Sequence, residues 1–178
     1  MSPAPKRSAS SDRGFSLVRT FNAPAPAVFR LWTDPVLVAQ WWGIRDCTIP
    51  SCVLDVRVGG EWRIDMQTRS GKLYRNRGFY RRVVANGYLE YTDIPDPELA
   101  EWAGQPPGES VHAVTFEADG DMTHLSLEIT LATQHDRERL LALGMRRGWL
   151  QSFDRLAVIV DAAPQVSASV TSVRMPVK

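Results

Sequence analysis

We predict an α+β fold in which an antiparallel sheet is covered on one face by a long C-terminal helix. Apolar and polar residues alternate from residue 47 to residue 91, which is typical of strands with one buried face. Gly59-Gly60, Ser70-Gly71 and Asn86-Gly87 interrupt this alternation where hairpin turns are required. Residues 135–162 have apolar side chains at steps of three and four, which predicts an amphipathic helix. Consecutive hairpins give antiparallel pairing, and the helix must bury its apolar stripe on the sheet.

The chain is predicted to begin with one strand and two short helices. Residues 15–21 alternate and are predicted as the first strand. Residues 22–32 carry two prolines near their start, where the first turn of a helix tolerates them, and apolar residues at helical spacing follow. Asp34-Pro35 ends this helix and can begin a second one over residues 36–41.

Six further strands are predicted before the C-terminal helix. They are residues 47–57, 60–67, 72–84, 88–94, 111–118 and 122–133. The last strand has leucine or isoleucine at every second position from Leu125 to Leu131. Residues 95–110 contain four prolines and two glycines, which predicts a long loop with one helical turn around residues 98–102.

The composition indicates one globular domain. The chain has 178 residues, of which 44% are hydrophobic and 23% are charged. We predict a domain over residues 14–162, with flexible tails of small and polar residues at 1–13 and 163–178. A net charge of +1 gives no general attraction to nucleic acid, so we expect no nucleic-acid partner. Because we find neither a membrane-spanning apolar run nor a secretory signal, we expect a cytoplasmic protein.

The titratable residues predict neither a metal site nor a cofactor. His112, His124 and His135 have no partner at a metal-ligand spacing, and Gly59-Gly60 is not followed by the helix that a phosphate-binding loop requires. We therefore expect no metal and no cofactor. His112 is on a strand that can face a cavity, which makes it the candidate general base; the alternative is a structural histidine.

Short motifs along the chain match one known superfamily in order. They are Asp34-Pro35 with Trp41-Trp42, Asp55-x-Arg57-x-Gly59-Gly60-x-Trp62, Gly78-x-Tyr80, Leu89-x-Tyr91-Thr92, Thr115-Phe116, Thr123-x-Leu125-x-Leu127 and Gly148-Trp149. Over residues 15–161 the chain resembles the SRPBCC, or START-like, superfamily. Within it, the chain resembles bacterial proteins similar to the C-terminal domain of the activator of the heat-shock-protein-90 ATPase.

The resemblance implies a helix-grip fold, also called birch-pollen-allergen-like. In this fold a curved antiparallel sheet wraps around the C-terminal helix and leaves a cavity between them. Relatives bind lipids, sterols, polyketides or plant hormones, and some catalyse aromatisation or cyclisation. The chain lacks the separate N-terminal domain of the eukaryotic co-chaperone, which counts against binding to heat-shock protein 90.

A ligand cavity between the sheet and the last helix is the first functional hypothesis. Trp41 and Trp42 can form a pocket rim, with core packing as the alternative. Gly144 and Gly148 either allow close helix–sheet packing or leave a void for a ligand. Arginines alternate with tyrosine and asparagine in residues 72–84, so the tyrosine and asparagine face is expected to point inward. The predicted ligand contacts are Trp41, Trp42, Trp62, Met66, Tyr74, Asn76, Tyr80, Tyr91, His112, Met145, Gly148, Trp149 and Phe153.

We therefore expect binding of an apolar, ring-containing small molecule rather than catalysis. The first alternative is an enzyme on the same fold, a cyclase, hydrolase or lyase that uses His112, Tyr74 or Asp93 for acid–base work. The second alternative is a module that binds a chaperone or a transcription factor through an exposed apolar patch at residues 95–110, around Trp102. The sequence leaves open whether the chain forms a homodimer.

Overall fold

The computed structural model describes residues 12–162, in which one seven-stranded sheet packs with four α-helices. The strands are β1 (Gly14–Phe21), β2 (Thr48–Leu54), β3 (Glu61–Gln67), β4 (Leu73–Val84), β5 (Tyr88–Asp93), β6 (Ser110–Asp119) and β7 (Met122–Thr130). The helices are α1 (Ala25–Thr33), α2 (Pro35–Trp41), α3 (Gln134–Ala142) and α4 (Met145–Ala162). The strand order is β1-β7-β6-β5-β4-β3-β2, and every neighbouring pair is antiparallel. The predicted α+β class with a helix-grip arrangement is confirmed.

The two short helices are separated by a single residue, Asp34. Its side chain accepts a hydrogen bond from the amide of Val36 at 3.0 Å, and Pro35 occupies the first position of α2. α1 buries Val28 and Trp32 and packs against β6 and β7. α2 packs against β2 and α4, so this helix pair connects the edge strand β2 and the inner strands β6 and β7 to the C-terminal helix.

β4 exposes one face and buries the other, as the alternation of its side chains predicted. Arg75, Arg77 and Arg81 are exposed, whereas Gly78 and Tyr80 are buried. A glycine is required at the buried position, because a methyl group there would lie 1.8 Å from a backbone carbonyl oxygen of β5. The inward face of β4 therefore approaches the neighbouring backbone closely at this point.

A tryptophan cluster fills the space between the sheet and α4. Its members are Trp32, Trp41, Trp42, Trp62 and Trp149. The indole of Trp32 is nearly parallel to that of Trp149, with ring centroids 6.1 Å apart, and it lies 4.7 Å from the ring of Trp41. Each aromatic side chain buries a large apolar area, so this cluster forms the centre of the hydrophobic core.

The C-terminal helical region differs from the single helix predicted over residues 135–162. It consists of α3 and α4, and the chain turns between them at Gly144, whose φ is +94°. A left-handed residue directly after a helix is a common way to end one, and glycine adopts this conformation without a Cβ clash. The apolar steps continue across the break and conceal it in the sequence. Of Gly144 and Gly148, which were both predicted to lie within one helix, only Gly148 lies inside a helix.

The loop between β5 and β6 contains the predicted helical turn, a 3₁₀ turn at Ala100–Trp102. Arg139 of α3 holds this loop in place. Its guanidinium donates to the carbonyl oxygens of Glu101 at 3.1 Å and Gln105 at 2.5 Å. The same group lies 5.3 Å from the centre of the Trp102 ring. The loop is thereby attached to α3.

The predicted tails, residues 1–13 and 163–178, lie outside the described residues except for Asp12 and Arg13. The carbonyl of Arg13 accepts a hydrogen bond from the amide of Leu131 at 2.9 Å, which attaches this residue to the chain just after β7. Within the described part of the chain, no helix is long and apolar enough to cross a membrane.

Candidate ligand cavity

A cavity of about 690 Å³ opens beside the tryptophan cluster. Its walls come from one end of the inward sheet face, from the loop between β5 and β6, and from the junction of α3 and α4. Apolar side chains in these walls include Ile44, Met66, Leu99 and Met145. Pockets that hold drug-sized molecules have volumes of roughly 300–1,000 Å³. The cavity therefore has room for a ring-containing molecule.

Polar side chains from three adjacent strands form part of the cavity wall. Asn76 of β4, Asp93 of β5 and Ser110 of β6 all line it, and the strand register pairs Asp93 directly with Ser110. The alternation that buries Leu89 and Tyr91 also turns Asp93 inward, because side chains two residues apart share a face. The cavity consequently has polar as well as apolar walls; of these polar residues, the sequence predicted Asn76 as a ligand contact and did not indicate Ser110.

His112 lies next to this polar wall and is 1% exposed. Its Nε2 is 3.0 Å from the hydroxyl oxygen of Ser110 and 3.9 Å from a carboxylate oxygen of Asp93. Its ring centroid lies 5.2 Å from that of Tyr91 and 5.8 Å from that of Trp149. Within the described residues, Nδ1 has no hydrogen-bond partner. Burial lowers the pKa of His112 to about 3, so its imidazole is neutral at physiological pH.

Asp93 places a titratable carboxyl group in the cavity wall. Its side chain is 26% exposed and lines the cavity. Burial raises the pKa of Asp93 to about 7, because the protein interior disfavours the charged carboxylate. A carboxyl group whose pKa is near the working pH can give a proton to a bound molecule or take one from it.

Ser110, His112 and Asp93 do not form a nucleophile-activating triad. In such a triad the histidine uses one ring nitrogen for the hydroxyl and the other for the carboxylate. Here the hydroxyl and the carboxylate both face Nε2. His112 therefore fits a supporting position beside Asp93. In the part of the chain that the structure describes, no group of three or more histidine, cysteine, aspartate or glutamate residues could hold a metal ion.

Glu101 fixes the loop between β5 and β6 to the sheet. Its carboxylate forms an ion pair with Lys72 and accepts a hydrogen bond from the Tyr74 hydroxyl at 2.8 Å. Lys72 and Tyr74 together lower the pKa of Glu101 to about 2, so this group stays ionised at physiological pH. The loop is thus held by the sheet on one side and by Arg139 of α3 on the other.

Side chains of α4 hold the connection between α2 and β2 against the helix. Gln151 accepts a hydrogen bond from the amide of Arg45 at 2.9 Å. Arg155 donates to the carbonyl oxygens of Trp42 and Ile44, each at 3.1 Å. These contacts position Ile44 and Arg45, which both line the cavity.

The structure places the predicted ligand contacts in three groups. The residues that line the cavity are Met66, Tyr74, Asn76, Met145 and Gly148. Trp42 and Trp149 border a cleft of about 210 Å³ that shares Met66, Asn76 and Met145 with the cavity. The remaining residues are buried in the core, and they are Trp41, Trp62, Tyr80, Tyr91, His112 and Phe153.

The third group shows that six of the thirteen predicted contacts lie in the core and do not line the cavity. Trp41, Trp62, Tyr80 and Tyr91 surround a void of about 20 Å³, which has room for roughly one water molecule. The indole of Trp41 donates to the carbonyl of Leu31 at 2.7 Å, as a buried tryptophan requires. Aromatic side chains therefore fill the space beneath the middle of the sheet, and the cavity lies towards the junction of α3 and α4.

Sequence reasoning missed the wall supplied by the loop between β5 and β6 and two arginines, one after α2 and one in the first turn of α4. Leu99, Glu101 and Trp102 of the loop line the cavity, as do Arg45 and Arg147. Proline content predicted a loop, but no local pattern shows towards which side a loop folds. Trp102 is 9% exposed, so this residue does not form the exposed apolar patch that the interaction hypothesis requires.

Solved structures from several organisms share this fold. A crystal structure of a protein from Nitrosomonas europaea has a TM-score of 0.75 at 20% identity and covers 86% of this chain and 97% of that chain. A solution structure from Arthrobacter aurescens has a TM-score of 0.75 at 22% identity, over 86% of this chain and 88% of that chain. A crystal structure of a protein from Rhodobacter sphaeroides has a TM-score of 0.76 at 19% identity, over 86% of this chain and 96% of that chain. At these identities the likeness shows the fold alone. No curated protein matches the sequence.

The sequence profile of one family matches most of the chain. The family is described as Activator of Hsp90 ATPase homolog 1-like protein, and the match covers residues 22–161. This stretch contains every helix and strand except β1 and the last residue of α4, and it contains every residue named here as lining the cavity. The family resemblance inferred from the sequence motifs is confirmed. The chain belongs to the Activator of Hsp90 ATPase homolog 1-like family.

Proposed function

We propose that the chain binds a small organic molecule with an apolar, ring-containing body. The observation that carries this proposal is the cavity of about 690 Å³ between the sheet, the loop before β6 and the junction of α3 and α4. Sites for small molecules are concave, mostly apolar and few in a protein. A cavity of this size beside a densely packed aromatic core therefore supports a ligand as its normal occupant.

The composition of the walls supports a molecule with both apolar and polar parts. Trp102 gives a flat aromatic surface, and Ile44 and Leu99 add aliphatic ones. Asn76 and Asp93 supply hydrogen-bonding groups on the sheet side. Such walls suit a ring system that carries a polar substituent.

Gly148 gives a direct test of the location of the ligand. A methyl group at this position would meet a side-chain atom of Ile44 at 3.6 Å, which is ordinary contact, so the position accepts a side chain. We expect native mass spectrometry of the purified protein to show a bound small molecule. Gly148→Leu should block this binding by occupying the part of the cavity beside Ile44, whereas the matched variant Gly148→Ala should retain it. Equal retention by both variants would place the ligand elsewhere.

A second candidate function is an acid–base enzyme that uses the same cavity. The observation that favours it is the position of Asp93, a cavity-lining carboxyl group whose pKa is raised to about 7 by burial. Mass spectrometry of the molecules that co-purify with the native protein and with Asp93→Asn distinguishes the two functions. An enzyme should carry its substrate in the variant and a different molecule, its product, in the native protein. The same molecule in both would exclude turnover by Asp93.

A further inference from the structure

Two arginines at the edge of the cavity have no counter-charge. Arg45 follows α2 and Arg147 belongs to the first turns of α4, and both line the cavity. Within residues 12–162, neither guanidinium takes part in a hydrogen bond or an ion pair. Exposed arginines are common, so the arrangement around these two decides what they can do.

Other arginines of the same region have structural partners. Arg139 binds the loop carbonyls, and Arg155 donates to the carbonyl oxygens of the connection between α2 and β2. Arg75 also lines the cavity, but it faces Asp96 at 3.7 Å. Arg45 and Arg147 thus differ from these three arginines in having their donors available.

Both free arginines lie on the α4 side of the cavity, which Gln151 also lines. The amide of Arg45 donates to the side-chain oxygen of Gln151 at 2.9 Å, and Gln151 lies four residues after Arg147 on the same face of α4. The guanidinium of Arg147 turns back along the helix, 3.1 Å from the position that a Cβ of Gly144 would occupy. Because the oxygen of Gln151 is already used, its side-chain NH₂ adds a further donor at this edge.

The acidic residues of the cavity form no ion pair with Arg45 or Arg147. Glu101 is paired with Lys72 through one carboxylate oxygen, its other oxygen is buried without a partner among the described residues, and Asp96 faces Arg75. Asp93 lies in the sheet wall next to His112. The edge of the cavity that Arg45, Arg147 and Gln151 line therefore carries two unpaired positive charges.

We propose that the ligand carries an anionic group with two or more oxygens, of the carboxylate or sulfonate type, which docks at the edge lined by Arg45, Arg147 and Gln151. The planar guanidinium donates two parallel hydrogen bonds to such a group. The apolar body of the ligand then lies inside the cavity, between the loop and the sheet. This inference rests on the proposed ligand-binding function and adds to it the charge of the ligand and its orientation.

Two fluorescent probes with the same ring system test this inference. Anilinonaphthalene sulfonate carries an anion, and phenylnaphthylamine is its neutral counterpart. We expect the anionic probe to bind the native protein about tenfold more tightly than the neutral one, as a charge-assisted contact provides. Arg45→Gln and Arg147→Gln should each lower the affinity for the anionic probe by about tenfold. The affinity for the neutral probe should stay unchanged.

Arg146 provides the matched control. It is exposed and adjacent in sequence to Arg147, and it does not line the cavity. Arg146→Gln should leave the binding of both probes unchanged. If Arg146→Gln and Arg147→Gln lose affinity for the anionic probe equally, net charge alone attracts that probe. The proposed anion site would then be overturned.

The outcomes separate this inference from the proposed function. If both probes bind with equal affinity and Gly148→Leu displaces both, the cavity binds ligands but selects no anion. If Gly148→Leu displaces neither probe, or neither binds, the cavity itself is not a ligand site and both proposals fail. A selective loss of the anionic probe in Arg45→Gln and Arg147→Gln supports both.

Discussion

The hydroxyl group of Ser152 forms two hydrogen bonds with the backbone of Gly43, one in each direction. It accepts the amide N–H of Gly43 at 3.1 Å and donates to the carbonyl oxygen of the same residue at 3.0 Å. Ser152 is buried in α4, and Gly43 has a φ of +92°, which favours glycine. One small side chain thus fixes the turn that leads from α2 into the edge of the cavity.

Removal of this hydroxyl should destabilise the fold. In Ser152→Ala both backbone groups of Gly43 lose their partner in a mostly buried place, so we expect the free energy of unfolding to fall by about 1–3 kcal/mol. Urea denaturation followed by tryptophan fluorescence measures the change. The control Ser16→Ala, at an exposed position of β1, should change stability by less than about 0.5 kcal/mol. Equal stability of the native protein and Ser152→Ala would contradict this role.

Gly144 and Gly148 should respond to alanine in opposite directions. Gly144 has a φ of +94°, and a residue with a Cβ in that conformation costs about 1–2 kcal/mol, so Gly144→Ala should lower the melting temperature. Gly148 is inside α4 with space for a methyl group, so Gly148→Ala should raise stability by about 1 kcal/mol. Calorimetry of both variants tests the break between α3 and α4. A rise in the melting temperature of both variants would argue for one continuous helix.

Asp93 should make stability depend on pH. Its pKa rises from 3.8 to about 7 on folding, so the folded state holds the proton more strongly than the unfolded state. The resulting contribution to stability is complete below about pH 4 and is lost as the pH rises through about 7. Asp93→Asn lacks this dependence, so its stability relative to the native protein should increase from pH 5 to pH 8.

Comparison of the native protein with Asp93→Asn isolates the contribution of Asp93 to the pH dependence of stability. The buried His112 has the opposite dependence, because burial lowers its pKa to about 3, but it is present in both proteins. Its contribution therefore cancels in the difference between the two free energies of unfolding. Denaturant titrations at the two pH values give that difference, and a constant offset would show that the carboxyl group is not perturbed by burial.

Arg139 should control the mobility of the cavity loop. Its contacts with the carbonyls of Glu101 and Gln105 and with the ring of Trp102 attach the loop to α3. In Arg139→Met, amide hydrogens in residues 95–110 should exchange faster, while those of β6 and β7 keep their protection. Hydrogen exchange read by mass spectrometry tests this expectation. Arg146→Met is the control, and faster exchange in the loop of that variant too would assign the effect to charge rather than to the contacts.

The order of helices and strands was predictable because each element has its own local pattern. The hairpin glycines and the alternating faces of β4 and β7 required no knowledge of distant contacts. The break at Gly144 was missed because the apolar steps pass through it, although a glycine at a possible helix end was an available signal.

The position of the cavity could not be predicted in the same way. Six aromatic residues compete for the space beneath the sheet, and only their three-dimensional packing shows that they fill it; they are Trp32, Trp41, Trp42, Trp62, Trp149 and Phe153. The inward direction of Asp93 follows from alternation with Tyr91, yet its closeness to Ser110 depends on the register of two strands. Loop residues such as Trp102 approach α3 through contacts that are distant in sequence.

The turn at Gly144 divides the C-terminal region into two parts with separate tasks. α4 carries Trp149 and Phe153 into the core, whereas α3, through Arg139, carries the loop that closes the cavity. Apart from Leu140 and Leu141, which pack against the core, residues of this second part can therefore be exchanged without changing the contacts of the tryptophan cluster. Under the proposed ligand-binding function, a lineage can in this way acquire a new ligand by altering α3 and its loop together, while the aromatic core is inherited unchanged.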